Sequence, residues 1–541
     1  MIVLGVSGGH DANWCVVRDG EVLGAFEKER FTGVRHDAGE VTGLVPQTLA
    51  YLGLSIADVD LIATSEPVHR GKDAGYRKLA GAKYRTPDEW THQVVECLGR
   101  ILPCVSVPHH LSHAAYARYA STEPRTTVIT WDGGGDFYTE DAYCSTSVSR
   151  WEGQKLVWLR RLRNSDLGSL WFTYARAIFG DGNHSGKLMG LAALGSDRLA
   201  DRMRELFVRP LMPPFQGGIT IKDCWPDYDL PPLIKGPLHW SDPHAADIAH
   251  AVQTITTEAC LSIASQASAI AGKDALALSG GVALNGYANT ALQASGLFER
   301  VFVPPAVNDG GIALGAALFA IHDVMEVPWL PGSQPTWAFL GMGCSGEDAA
   351  QSLSETAFDW RPVEQEEAEH LAAVAVADHK VVAWFQGRSE HGPRALGNRS
   401  ILALPADSGM KDRINGTIKF REPFRPLAPI VPQRVASEYF AIDYPSPWMM
   451  HIVSAKPPCV GAAPAAVHAD GTARIQTVDT STPVGRISEE VGELTGTPIV
   501  LNTSLNVRTP IVNDPAGAVA VFATTPIDVL FLEGHMAWKR P

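Results

Sequence analysis

Apolar and polar positions alternate in short runs at the start of this chain. In MIVLGVSGGHDANWCVVRDGEVLGAFEKERF the apolar stretches are cut at Gly8-Gly9 and at Asp19-Gly20. That pattern predicts strand, glycine turn, strand, tight hairpin, strand. The layout returns at 126–162, TTVITWDGGGDFYTEDAYCSTSVSRWEGQKLVWLRRL, as an apolar strand, an Asp-Gly-Gly turn and further strands joined by a tight turn. Helical periodicity follows around 168–180, 245–270 and 285–297. The Pro- and Gly-rich stretch 325–339, MEVPWLPGSQPTWAF, reads as a junction. Residues 225–244, WPDYDLPPLIKGPLHWSDPH, read as a long excursion able to shape a substrate pocket.

Two strand–glycine turn–hairpin units in one chain predict an α/β fold whose duplicated halves enclose a cleft, the construction of actin-like and sugar-kinase-like ATPases. At 541 residues the chain exceeds one core, so two or more domains are expected. A net charge of −14 argues against a broad electrostatic grip on nucleic acid or an anionic membrane. The eight cysteines form no CxxC motif, as in a reduced, cytoplasmic protein without a structural zinc knuckle. The N-terminus lacks the basic and long apolar regions of a signal peptide, and GGIALGAALFAI is too short to span a bilayer.

Candidate chemistry begins at HHLSHAAYA, 109–117. His109 and His113 stand four apart, so on a helix both imidazoles project from one face. With 18 histidines in 541 residues, about 0.6 such pairs arise by chance, so the pair needs carboxylates from elsewhere. Asp132 ends the strand TTVITW and Asp309 sits on the glycine turn of VPPAVNDGGIALGAALFA, ahead of an apolar helix. Capping or turn formation accounts equally well for either aspartate alone. Together, two His and two Asp make a site suited to Fe²⁺, Mn²⁺ or Zn²⁺. The turn LSGGVALNG, 278–286, brings backbone N–H groups where phosphate or a nucleoside can approach, a role it shares with purely structural turns.

Beyond residue 380 the character changes. Residues 386–425 hold eight Lys/Arg against four Asp/Glu inside an acidic protein. Arg388, Arg394, Arg399, Lys419, Arg421 and Arg425 accompany glycines and prolines rather than a helical stripe, which suits bidentate gripping of phosphate or carboxylate. ADGTARIQTVD adds Arg474, and VLNTSLNVRTP adds Asn502, Ser504 and Asn506 after a buried strand.

These residues resemble a known family. HDA at 10–12, EKERF, HHLSHAA, WDGGGD, GKLMGLAALG, LSGGVALN, NDGGIALGAA, FQGRSEHGPRALGNRSIL, IKFREPFRPLAPIV, DGTARIQTV and LNTSLN cover nearly the whole chain. They are similar to the O-carbamoyltransferases of antibiotic biosynthesis and nodulation, which include the tobramycin and cephamycin carbamoyltransferases. GPRALGNRS with FREPFRP is highly specific; the glycine turns are not.

The resemblance implies two domains. Residues 1–340 would resemble the duplicated, metal-binding ATPase-fold domain of threonylcarbamoyl-tRNA enzymes. Residues 345–541 would resemble the α/β partner that prepares carbamoyl-type adenylates. In the family, carbamoyl phosphate and ATP, with Mg²⁺, yield carbamoyl-adenylate in the C-terminal pocket. The adenylate then serves an acceptor hydroxyl at an iron-containing N-terminal site.

Carried over residue by residue, His109, His113, Asp132 and Asp309 match the metal ligands and His10 the general base. Lys419, Arg425, Arg474, Asn502, Ser504 and Asn506 match the carbamoyl phosphate pocket. Arg394, Arg399, Gly280, Gly281, Asn285 and Lys187 match ATP or adenylate contacts. The implied partners are ATP, carbamoyl phosphate and a hydroxylated natural product, as sugar, aminoglycoside, macrolide or β-lactam; a homodimer is admitted. The chain departs from the family's usual HDSA and EEERF at His10-Asp11-Ala12-Asn13 and Glu27-Lys28-Glu29-Arg30, and has Arg35 where lysine is common.

Two other readings are open. A tRNA threonylcarbamoyl-type transferase shares the domains, but the acidic balance opposes a nucleic-acid substrate. A non-catalytic nucleotide-binding module is opposed by retention of the whole ligand set. A hydrogenase-maturation enzyme would carry paired CxxC motifs, which are missing.

Overall fold

The computed structural model describes the chain except residues 66–76, 82–89, 140–141, 164, 212–217, 223–230, 335 and 541. Residues 225–230 of the expected 225–244 excursion therefore lie outside the described residues, while 231–242 form no helix or strand and a helix begins at Pro243. Two compact units are present: Met1–Lys28 with His36–Trp337, and Glu29–Arg35 with Ala338–Pro541. The division falls at Trp337, inside the Pro/Gly-rich junction. The continuous first domain expected over 1–340 is interrupted, because Glu29–Arg35 groups with the second unit.

Strands β1 (Ile2–Ser7), β2 (Asn13–Arg18) and β3 (Glu21–Glu27) form an antiparallel meander, and β4 (Leu61–Ser65) adds in parallel beside β1. With β5 (Arg77–Gly81), β6 (Thr91–Cys97) and β7 (Arg100–Val107) the spatial order is β3-β2-β1-β4-β7-β6-β5. A second sheet repeats the plan. There β8 (Arg125–Thr139), β9 (Ala142–Glu152) and β10 (Lys155–Arg163) form the meander. A separate ribbon pairs β11 (Val208–Pro210) with β12 (Ile219–Ile221). Then β13 (Ala275–Ser279) and β14 (Arg300–Phe302) complete the order β10-β9-β8-β13-β14. Both sheets thus contain a meander read third, second, first, followed by two parallel strands. The α/β fold is duplicated.

The Asp-Gly-Gly expected to turn the chain at 132–134 does not do so, for β8 continues to Thr139 with its register broken between Trp131 and Asp136. The glycines serve close packing instead. A Cβ on Gly168 would lie 2.3 Å from Cα of Gly133. The three expected helices occur as Leu167–Phe179, Pro243–Ala271 and Gly286–Ala294.

Two wholly buried helices, His109–Ala120 and Ile312–Phe319, pack on each other at the centre of this unit, the first against β8 and β13, the second against β1, β2 and β4. Their approach depends on Gly315, where a Cβ would sit 1.9 Å from the Ser112 carbonyl oxygen. No larger residue allows the two backbones that proximity.

The second unit is built on a nine-stranded mixed sheet. Its strands are β15 (Asp359–Pro362), β16 (Val382–Phe385), β17 (Arg399–Ala403), β18 (Ala428–Pro432), β19 (His451–Ser454), β20 (Thr472–Val478), β21 (Val500–Ser504), β22 (Val529–Leu532) and β23 (His535–Trp538). Their order is β15-β23-β22-β16-β17-β21-β18-β20-β19. Along β16, Ala383 and Phe385 enter one apolar cluster and Val382 and Trp384 another, as the two-residue strand period requires of a sheet covered on both faces. Among the described residues no helix is long and apolar enough to cross a membrane.

Candidate active site

The helix His109–Ala120 starts directly after Pro108, so His109 and His113 occupy its first turns and face the end of β13 and the turn at Asp309. Nε2 of His109 lies 3.0 Å from Oδ2 of Asp132 and 3.7 Å from Oδ1 of Asp309. For His113 the corresponding distances are 3.6 and 3.2 Å. One donor atom from each of the four residues falls within 4.8 Å of the others. The pair predicted from i,i+4 spacing and the two aspartates from distant segments therefore converge. Surrounding bonds aim them: Ser279 Oγ meets Nδ1 of His113 at 3.2 Å, and the Gly281 N–H donates to Oδ1 of Asp132 at 2.9 Å. Gly280 makes this possible with φ of 88° and a position where a Cβ would lie 2.2 Å from the Trp131 carbonyl oxygen.

Burial disfavours charge on both partners, yet hydrogen bonds from the two imidazoles hold Asp132 well below the usual carboxylate range. Burial likewise opposes charge on His113, but bonds to Asp132 and Asp309 leave it above the ordinary histidine value. The carboxylates favour positive charge on the imidazoles beside them. Two imidazoles and two carboxylates fit a divalent transition ion.

His10, on the turn after β1, is half-exposed. Its Nδ1 lies 3.1 Å from Oδ2 of Asp11 and its Nε2 3.2 Å from Oδ1 of Asn183. Burial alone would lower its pKa, but the Asp11 bond and charge, with Asp309 and Asn183, raise it to about 9. Of the remaining candidates in this unit, Asn285 caps its helix at Ala288 and exchanges two hydrogen bonds with Gln253, so its side chain is committed internally. Lys187 lies on the helix Ser185–Ala192, 5.6 Å from the Phe179 ring.

In the second unit the loop 389–399 is organised by Glu390, whose Oε1 accepts from the backbone N–H of Leu396, Asn398 and Arg399 at 2.8, 2.9 and 3.1 Å. Cations gather beside it. Burial pushes Arg474 well below the usual arginine value, with Arg394, Arg421 and Arg425 adding repulsion. Arg394 is lowered to about 10 by burial and Arg425, and Arg421 to about 9 by burial and Arg425. Lys419 is pushed far down by burial, then by Arg421, Arg35 and Arg425. Its Nζ is ringed by four oxygens: Ser504 O at 2.6 Å, Ser504 Oγ at 3.2 Å, Asn506 O at 2.9 Å, and Asn506 Oδ1. Asn502 donates to Ala395 O and Gln476 Oε1 at 3.0 and 3.1 Å. Only Glu422, 3.6 Å from Arg425, opposes the positive charge through a direct ion pair among the described residues of this group.

Arg399, expected from the resemblance to contact phosphate, is held by the backbone around it. Its Nη atoms donate to the carbonyls of Gln386, Asn398, Met342 and Gly387, and its guanidinium lies 3.5 Å from the centre of the Phe385 ring. It braces the loop. Arg421, read in the sequence as one of the clustered arginines, and Arg35, which was not, both add repulsion to the pocket. Arg35 donates to the Thr509 carbonyl at 2.9 Å. Arg508 adopts φ of 57° and reaches towards the Phe420 carbonyl. For Arg421, proximity to Arg425 in FREPFR was the available signal.

Known proteins share both units. Residues 227–318 match the family model "Carbamoyltransferase N-terminus" and residues 373–539 "Carbamoyltransferase C-terminus". The nodulation protein NolNO of Sinorhizobium fredii is 31% identical across 100% of this chain and 83% of its own. The chain belongs to the carbamoyltransferase family. Another relative, the nodulation protein NolO of Bradyrhizobium diazoefficiens, is 32% identical over 80% of this chain and 79% of its own. Among solved structures, full-length HypF in the phosphate- and nucleotide-bound form is 14% identical over 61% of this chain and 56% of that chain, with a TM-score of 0.33. This carbamoyltransferase therefore carries an N-terminal imidazole–carboxylate cluster and a C-terminal arginine pocket.

Proposed function

We propose that this carbamoyltransferase is an ATP-dependent O-carbamoyltransferase acting on a hydroxyl of a small natural product. The observation that carries the reading is the pocket of Arg394, Arg421, Arg425, Arg474 and Lys419, in which Glu422 makes the one direct ion pair among the described residues. Enclosed like charges repel, and a polyanion relieves that repulsion. Carbamoyl phosphate and the ATP phosphates have the required charge. In this pocket carbamoyl phosphate would lose phosphate to water, and the carbamate oxygen would attack the α-phosphorus of ATP, with pyrophosphate leaving. Mg²⁺ would accompany ATP.

The resulting carbamoyl-adenylate is assigned to the N-terminal site for transfer. His109, His113, Asp132 and Asp309 would hold an Fe²⁺ ion, or Mn²⁺ or Zn²⁺, which would supply positive charge to offset that of a phosphate. His10 would take the acceptor's proton from its Nε2 side. As it stands, Asp11 and Asn183 hold both ring nitrogens as donors, so at pH 7 roughly 1% of a group titrating near 9 is unprotonated. An acceptor that displaces Asn183 removes one of those acceptors and frees the base. Nucleic acid as substrate is disfavoured by the net charge of −14.

The test is release of pyrophosphate by the purified protein from carbamoyl phosphate and ATP. Release dependent on both compounds is expected. ATP-independent carbamoyl transfer, or no pyrophosphate with metal-replete protein, overturns the scheme. A screen of sugar, aminoglycoside, macrolide and β-lactam alcohols then identifies the acceptor.

A further inference from the structure

We propose that His36 is a positioning residue for carbamoyl transfer: through Asp11 it fixes His10 in the orientation that presents Nε2 to the acceptor. The inference rests on the reading of His10 as general base.

Several independent features meet at Asp11, a buried carboxylate. Nδ1 of His36 lies 2.6 Å from its Oδ1, and Nδ1 of His10 lies 3.1 Å from its Oδ2. Asn308 Nδ2 donates to the same Oδ2 at 3.0 Å. An ionised carboxylate only accepts, so each Nδ1 carries the proton and the tautomer of His10 is decided. The two imidazoles also stack, with centroids 4.8 Å apart and planes 23° from parallel. Finally, Asp11 and His36 both adopt φ of 54°, a left-handed conformation that non-glycine residues occupy sparingly. Glycine would make these turns without cost. What the strained residues bring is their side chains, and those side chains meet in one hydrogen bond.

The chemistry explains why that bond is useful. As the acceptor oxygen forms its bond to the carbamoyl carbon, its proton passes to Nε2 of His10. The bond from that carbon to the adenylate phosphate oxygen breaks, and AMP leaves with the electron pair. His10 then gives its proton to water. His36 touches none of the reacting atoms. By holding Oδ1 it stops the carboxylate rotating, which keeps Oδ2 on His10 and the imidazole from swinging into solvent.

The test uses full-length, metal-replete enzyme with carbamoyl phosphate and ATP, glycerol as the probe alcohol, and two readouts: AMP release and the pyrophosphate burst. His36→Asn keeps an N–H donor in the place of Nδ1, and Asn tolerates the left-handed backbone. His36→Phe keeps a ring for stacking and loses the donor. The expected result is a fall of about 10- to 100-fold in kcat for AMP release with His36→Phe. KM for carbamoyl phosphate and the pyrophosphate burst should be unchanged, and His36→Asn should stay within about three-fold of native on the same grounds. Native AMP release by His36→Phe overturns the proposal, as does an equal fall in both variants. Should His36→Phe fail to fold, His36→Gln replaces it. Its donor sits one bond too far, so it should fall as far, and native activity there overturns the proposal. Unimpaired AMP release by His10→Ala would instead strike at the assignment of the base.

Discussion

The two candidate sites of this carbamoyltransferase are opposites in charge and in how far the protein satisfies them by itself. In the N-terminal unit, imidazoles and carboxylates converge and partner one another at 3.0 to 3.7 Å. In the C-terminal unit, five cations gather near Glu422 and push one another's pKa values down. The first arrangement is paired within itself and has the donor set of a divalent-ion site. The second is uncomfortable until an anion arrives. The sign of the charge left over after internal pairing therefore names the class of ligand, before any family is consulted.

The sharpest way to break this contrast is His113→Ala. Bound metal should disappear by elemental analysis and transfer should fall to background, while the pyrophosphate burst persists. Equal metal in native and variant protein refutes the cluster as a metal site. Next in size is His10→Ala, expected to cost about 10²–10⁴-fold in transfer and again to spare the burst. The same residue dictates the pH dependence. A base works only unprotonated, so transfer should be weak below the ordinary histidine value of 6.5 and rise towards a plateau above about 9. A transfer rate flat across that interval, with the burst measured alongside, removes His10 from the role. Arg425→Ala should act on the other side, lowering pyrophosphate formation by about 10²–10³-fold, the scale of losing one fixed charge-stabilising donor. If His10→Ala and Arg425→Ala lose the burst equally, the division between the units fails. The smallest effect is expected from Gly315→Ala, whose Cβ meets the Ser112 carbonyl oxygen. It should destabilise the N-terminal unit by about 1–3 kcal/mol, read as a lower first transition in calorimetry, and weaken metal retention without touching the burst.

Legibility in the sequence followed the range of the interaction. His109 and His113 were readable because helical periodicity is local, whereas their meeting with Asp132 and Asp309 depends on a strand order that no spacing displays. Arg399 and Arg421 show the limit from the other side. Both stand in basic, glycine- and proline-containing segments, yet Arg399 is consumed by four backbone carbonyls while Arg421 adds to the pocket's charge. Which carbonyls point inward is a property of the folded loop. The Asp-Gly-Gly at 132–134 misled for a related reason: glycine serves turns and close backbone packing alike, and here Gly168 decides between them. The raised pKa of His10 comes first from Asp11, its neighbour in sequence, and only then from Asp309 and Asn183, which distant segments supply.

The duplicated strand order carries a consequence of another kind. The first strand of each sheet, β1 and β8, occupies the same address, between its meander partner and the first parallel strand. Past β1 the chain presents His10 and Asp11; within β8, beyond its pairing with β13, it presents Asp132. On the proposed reading, a single architectural slot, used twice, is given different work: proton handling in one copy, ion holding in the other. Specialisation of twin positions lets a symmetric scaffold serve an asymmetric reaction, and it directs a search for catalytic residues in such chains to a place in the topology even where the surrounding letters have drifted.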